Sequence, residues 1–202
     1  MIYKKYFAWL FVAAVVCVPL SLFAVVKYWQ QRCQKLPVLS APVQPSFSCF
    51  NQQGRAYSLS QWKGKIVVAH VFFTHCPVVC PKMMYGLKRV VAYANVPQLE
   101  VASFTVDPER DSVPQLKAYA QRAQVTGNWQ LLTGDKRSIY LLARKALQLT
   151  ATDGDGGPQD FIHSEKLVLL DRQGRIRGFY TGTSEEEVNN LIRDCRKLQG
   201  ES

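Results

Sequence analysis

The chain has 202 residues, 48% of them hydrophobic, and a formal net charge of +10 at pH 7. That size suits one membrane segment plus one globular domain of ordinary dimensions. The charge does not indicate nucleic acid: no nucleic-acid motif is present, and no aromatic residues interleave with a dense basic patch. Instead, all 15 acidic residues lie at or after Glu100, while the first 99 residues hold eleven Lys or Arg. Five of these cations (Lys4, Lys5, Lys27, Arg32 and Lys35) flank an apolar N-terminus, where lipid headgroups account for them. From residue 45 onward, twenty cations face fifteen acids, a modest excess that suits an acidic protein partner and an ordinary solvated surface equally.

In chain order, residues 1–5 form a short basic N-terminus. Tyr6 to Val26 are 21 consecutive uncharged, mostly apolar positions, enough to cross a bilayer as a helix. The run continues into Tyr28 and Trp29, which suit an interfacial aromatic belt, and no cleavage site follows, so an uncleaved anchor is expected over 6–26. Cys17, inside that run, reads as an inert apolar residue. Charge counting leaves the orientation open, because Lys4 and Lys5 oppose Lys27, Arg32 and Lys35. Residues 27–44 contain Pro37 and Pro42 with little periodicity and read as a tether, leaving a domain over 45–202.

The domain opens with a predicted hairpin, Phe47-Ser48-Cys49-Phe50 against Arg55 to Leu59, around Asn51-Gln52-Gln53-Gly54. The apolar run Ile66 to Phe73 predicts a buried strand, and a helix is expected from about Pro77 to Ala94. A strand from Leu99 to Thr105 leads into Val106-Asp107-Pro108-Glu109-Arg110-Asp111. Helices are expected over about 113–124 and 135–149, with the short apolar piece Trp129 to Leu132 between them. Asp153 to Pro158 reads as a loop that lacks the twelve-residue ligand pattern and closing Glu of a calcium site. Lys166 to Leu170 and Arg175 to Tyr180 flank a turn with Gly174, and Ser184 caps a last helix that begins with three Glu. Strands alternating with helices, closed by an antiparallel hairpin, predict a mixed-sheet α/β sandwich.

Cys76 and Cys80 lie four residues apart where the strand gives way to the helix. At a first helical turn that spacing aims both sulfurs at one spot, and the unpaired N–H groups and helix dipole there favour thiolate over thiol. Such a pair either binds a soft metal ion or oxidises to a disulfide.

With these residues in view, the chain resembles the Sco/SenC proteins, membrane-tethered thioredoxin-like domains implicated in assembling the copper centre of cytochrome c oxidase. Four features carry the resemblance over roughly residues 45–198: Thr-x-Cys-Pro-x-x-Cys-Pro at 74–81, Val-Asp-Pro-Glu-Arg-Asp at 106–111, a lone His163 before the closing hairpin, and the N-terminal anchor. The resemblance implies a thioredoxin-like sandwich with an N-terminal β-hairpin, preceded by one transmembrane helix. It assigns Cys76, Cys80 and His163 as ligands of a copper ion, Cu(I) or Cu(II). Two thiolates and an imidazole suit Cu(I), which prefers soft sulfur and tolerates low coordination. The family commonly has an acidic residue between the cysteines; this chain has Val78, which removes a local negative charge.

The implied partners are the copper-bearing subunit of cytochrome c oxidase and a copper donor or thiol reductant, with no nucleic acid. The implied place is the inner (cytoplasmic) membrane, single-pass, with residues 1–5 in the cytoplasm and the domain facing the periplasm or cell exterior. Two functions follow: a metallochaperone, or an extracytoplasmic thiol–disulfide reductase without a metal role, in which Cys76 attacks and Cys80 resolves. Reductases of thioredoxin type use Cys-x2-Cys and need no histidine, which favours copper. A peroxidase is excluded locally, because Phe73 and Ala69 stand where a peroxiredoxin needs threonine and proline. Asp107, at the carboxyl end of its strand, either forms an Asx–Pro turn or tunes the thiolates from just outside the ligand shell. His75 reads as a strand terminator beside Cys76, and His70 as a hydrogen-bonded core histidine. Cys33, Cys49 and Cys195 read as unpaired or buried thiols.

Overall fold

Cys49–Asn51 (β1) and Ala56–Tyr57 (β2) form the opening hairpin in the computed structural model, which describes residues 15–28, 35–43, 47–153 and 161–201. The side chains of residues 151–153 and 161–163 fall outside that description. Next come Ile66–Phe72 (β3), Val79–Tyr93 (α1), Leu99–Thr105 (β4), Val113–Arg122 (α2) and Trp129–Gly134 (β5). Lys136–Leu141 (α3) then continues into a π-helical turn, Leu142–Ala146. A ribbon of Ala151–Asp153 (β6) with Phe161–His163 (β7) precedes the closing hairpin, Lys166–Leu170 (β8) and Ile176–Thr181 (β9). Glu185–Gly200 (α4) comes last. Each strand and helix expected of the domain over 45–202 is present, with ends shifted by a few residues.

The main sheet has the order β2-β1-β5-β4-β3-β8-β9. β3, β4 and β5 run parallel at its centre, and antiparallel hairpins extend it on both sides. With its flanking helices this is the thioredoxin-like architecture that the sequence implied. β1 pairs not only with β2 but also with β5, with Cys49 opposite Gly134, so the opening hairpin belongs to the main sheet. All seven residues of β3 and all seven of β4 are buried, which is why both read as continuous apolar runs rather than alternations. The polar exception in β3 is answered inside the core: His70 Nε2 meets Ser103 Oγ at 2.6 Å and its Nδ1 meets the Val71 carbonyl at 3.1 Å. Trp129 Nε1–H donates to the same Ser103 oxygen at 2.8 Å. His70 is therefore the hydrogen-bonded core histidine expected of it.

α1 buries Cys80, Met83, Met84, Leu87 and Val90, an i, i+3, i+4 stripe facing the sheet and α4. Its close seat depends on Gly86, where a Cβ would come within 2.8 Å of the Gly182 carbonyl and 3.0 Å of Val188 Cγ2. α4 starts as predicted: Ser184 Oγ accepts the Glu187 N–H, with Glu185, Glu186 and Glu187 in the first turn.

Residues 37–43, read from sequence as tether, run along β9. Leu39 N–H donates to the Ile176 carbonyl at 2.8 Å and Val43 N–H to the Gly174 carbonyl at 2.9 Å. Ser40 Oγ accepts the Ile176 N–H at 3.0 Å, and Arg177 Nε donates to the Pro37 carbonyl at 3.0 Å. This segment covers the outer edge of the sheet. Beneath it, the buried Arg177 side chain pairs with Asp171 at 3.1 Å and with Glu201 at 2.6 Å.

The chain divides into two units, Met1–Leu36 and Pro37–Ser202. In the first, residues 15–28 are helical. Much of the expected membrane span, Tyr6 to Val26, lies outside the described residues, and so does Cys33. Among the described residues, no helix is long and apolar enough to cross a membrane. Residues 154–158 of the expected loop also lie outside the description.

Candidate dithiol site

β3 ends at Phe72, and a short turn through Thr74 and His75 delivers Cys76 ahead of α1. Val78, at the N-cap of α1, supplies no side-chain acceptor. The Cys76 sulfur fills that role, accepting the Cys80 N–H at 3.3 Å. The two cysteine side chains are also in hydrogen-bond contact, so the i, i+4 spacing does bring them together. Their environments differ. Cys80 is 1% exposed and packed under the helix, whereas Cys76 is half-buried at the rim beside the exposed Pro77 and Val78.

Burial corrects the expectation of two activated thiolates. Desolvation pushes the Cys80 thiol well above its ordinary range, and the neighbouring Cys76 sulfur and Asp111 add to the shift. A backbone hydrogen bond with Phe73 opposes it and is outweighed. Helix-end electrostatics contribute about 1 kcal/mol, less than removing a thiolate from water costs at a fully buried position.

The Val-Asp-Pro-Glu-Arg-Asp block folds back on the same edge of the sheet. The Asp107 carbonyl accepts the N–H groups of Arg110 at 3.2 Å and Asp111 at 2.9 Å, closing the turn anticipated for an Asp–Pro pair. The Asp107 carboxyl is buried, 3.7 Å from Arg110 Nε, and is pushed up from its ordinary value by desolvation and then by Asp111. The acid that reaches the cysteine loop is Asp111. Fully buried, it accepts the Thr74 N–H at 3.1 Å, the Thr74 hydroxyl at 2.5 Å and the Thr105 hydroxyl. Tyr119 of α2 was legible only as part of a helix face, yet its ring lies 5.7 Å from Phe72. Burial raises its phenol pKa, and Cys80, Cys76 and Asp111 each add to that, so the phenol sits within electrostatic reach of both sulfurs.

His75 is exposed, with Nδ1 3.0 Å from Thr74 Oγ1. The His163 backbone pairs with Ala151 in the β6–β7 ribbon, three residues before β8. β8 runs antiparallel to β3, so its start lies at the edge where β3 delivers Cys76. The His163 side chain lies outside the described part. Cys49 and Cys195 are fully buried in β1 and α4, and burial drives both thiols up, Cys49 to about 12.

Fold and site together define a thioredoxin-like domain with a Cys-x3-Cys dithiol at the start of its first long helix. The SCO1/SenC family model matches residues 38–199, and the chain belongs to that family. It is 31% identical over 163 residues to the SCO1 protein homolog of Bacillus subtilis, covering 78% of this chain and 83% of that one. A solved structure of BsSco, a member of the Sco family of cytochrome c oxidase assembly proteins in which a disulfide switch was identified, is 26% identical. It superposes with a TM-score of 0.71 over 82% of this chain and 98% of its own. Bradyrhizobium japonicum ScoI, solved with copper bound, is 25% identical with a TM-score of 0.62, covering 75% of this chain and 98% of its own.

Proposed function

We propose that this protein is a metallochaperone that carries one copper ion on Cys76, Cys80 and His163 and delivers it to the copper site of cytochrome c oxidase during assembly. The observation that carries this reading is the cysteine pair itself, two sulfurs in contact at the start of α1. The start of β8 at the same sheet edge, three residues after His163, supports it, as does the copper-bound relative. The donor set fits Cu(I): two soft sulfurs and an imidazole. Asp107 acts from beyond the ligands, through its buried charge beside Asp111.

The difference in exposure between the cysteines favours a second chemistry at the same site. The half-buried Cys76 attacks a partner disulfide, forming a mixed disulfide and releasing one partner thiolate. The buried Cys80 then attacks the Cys76 sulfur, leaving a Cys76–Cys80 disulfide and a fully reduced partner. Reducing the acceptor's cysteines before loading them would join both activities in one process, provided a thiol reductant returns Cys76–Cys80 to the dithiol before copper is taken up.

His163→Ala separates the two. Copper carriage loses a ligand, so Cu(I) affinity falls about tenfold or more, at least about 1.4 kcal/mol, while disulfide reduction is unchanged. The check is Cu(I) competition titration of the reduced chain beside a disulfide-reduction assay. Unaltered copper affinity in His163→Ala would remove the imidazole from the ligand set.

The chain is held at the inner (cytoplasmic) membrane by residues 6–26, with residues 1–5 in the cytoplasm, 27–36 as the tether and 37–43 docked along β9. Residues 45–202 then face the periplasm or cell exterior, where an outward-facing oxidase copper site is filled. A reporter fused after Ser202 is active only in the exported compartment; activity in the cytoplasm would reverse the orientation.

A further inference from the structure

We propose that Asp111 is a positioning residue for the dithiol, acting through Thr74 to hold the loop that carries Cys76. This rests on reading Cys76 and Cys80 as the working pair. One carboxylate ties together two strand ends. Oδ1 takes the Thr74 hydroxyl and Oδ2 takes the Thr74 N–H, so the residue two before Cys76 is gripped at both backbone and side chain. Oδ2 also takes the hydroxyl of Thr105, the last residue of β4, which runs parallel beside β3. Thr105 Oγ1 in turn accepts the Asp107 N–H at 3.0 Å, and the Asp111 N–H closes the turn on the Asp107 carbonyl.

Asp111 is 0% exposed, and among the described residues its carboxylate is held by neutral donors rather than an ion pair. Burying a carboxylate without a cation is costly, and a turn on the surface does not need it. Only a carboxylate offers two acceptor oxygens in a fixed fork to the N–H and O–H of one threonine. Gln115 Nε2 reaches Thr74 Oγ1 at 3.3 Å, so the start of α2 bears on the same residue. Once Thr74 is fixed, Cys76 is aimed so that its sulfur meets the Cys80 N–H.

The test uses the reduced full-length chain with three measurements: Cu(I) competition titration, the Cys76–Cys80 redox equilibrium against a dithiol buffer, and thermal unfolding. Asp111→Asn and Thr74→Val are expected to weaken Cu(I) binding about 10–100-fold, as changes just beyond a metal's ligands do, and to displace the redox equilibrium. Thr74→Ser keeps the hydroxyl and is expected to retain both. If Asp111→Asn does not fold, the Thr74→Val and Thr74→Ser pair carries the test alone. Lower melting with copper affinity and redox equilibrium both unchanged would overturn the proposal, and so would equal losses in Thr74→Ser and Thr74→Val. If the unmutated chain binds no Cu(I) while Thr74→Val still displaces the redox equilibrium, the copper reading falls and the positioning role stands.

Discussion

Cys76→Ser and Cys80→Ser are each expected to reduce Cu(I) binding by the reduced full-length chain at least about a hundredfold, roughly 3 kcal/mol, in a chelator-competition titration. A hydroxyl is a hard, neutral donor at neutral pH and cannot replace a thiolate on a soft ion. The two variants differ in their side effects. Cys80 lies in the buried stripe of α1, so its replacement also places an extra hydroxyl in the core and lowers stability. Cys76 sits half-buried at the rim, where a serine hydroxyl reaches water and can still accept the Cys80 N–H, so the fold is little affected. Cys49→Ala and Cys195→Ala serve as controls, because both sulfurs are sealed in the core in other elements. If either control lost copper as severely as the motif variants, the ligand assignment would be wrong.

Asp171→Ala is expected to destabilise the fold by about 3 kcal/mol, measured by denaturant unfolding at neutral pH. Asp171 Oδ1 accepts the N–H groups of Gln173 at 3.0 Å and Arg175 at 2.9 Å, shaping the β8–β9 turn. Its Oδ2 accepts from Arg175 Nε at 2.9 Å and from Arg177 Nη1 at 3.1 Å. Without it, the buried Arg177 guanidinium keeps Glu201 but loses half its compensation. Burial alone would raise the Asp171 pKa, yet the hydrogen bonds from Arg175 and Arg177 outweigh it and hold the carboxyl below its ordinary value. The folded pKa therefore lies below the unfolded one. The stabilisation is complete above the unfolded value, near 4, and fades as pH falls through the folded value. The stability difference between wild type and Asp171→Ala is expected to shrink over that acid range; a constant difference would deny the carboxylate its role.

The elements whose signal is local were legible in the sequence. Ile66 to Phe72 reads as a buried strand because both its faces are covered, and Ser184 with three following Glu reads as a helix start because capping involves only neighbours. What escaped depends on residues distant in the chain. The pairing of Cys49 with Gly134 joins segments 85 residues apart and leaves no periodicity in either. Asp111 looks like the tail of a polar block until β3 and β4 stand side by side and bring Thr74 and Thr105 to it. Residues 37–43 look like a linker because their bonds to β9 follow no regular pattern, and proline-rich composition is shared by linkers and docked segments. At the cysteines, the spacing correctly predicted two adjacent sulfurs. The helix-end electrostatics misjudged Cys80, because desolvation is set by how deeply the helix is packed.

The docking of residues 37–43 also fixes the end of the sheet at which the chain enters the domain. β9 runs parallel to β3, and Arg177 and Ile176, which grip Pro37 and Leu39, stand at the end of the sheet where β3 begins. Cys76 follows the other end, about 20 Å away along the strand direction. A chain arriving through Pro37 is thus clipped to one pole of the sheet, with the sulfurs at the opposite pole. Loosening the 37–43 clip would therefore disturb the sheet at the pole away from the sulfurs and leave the sulfurs themselves unaltered.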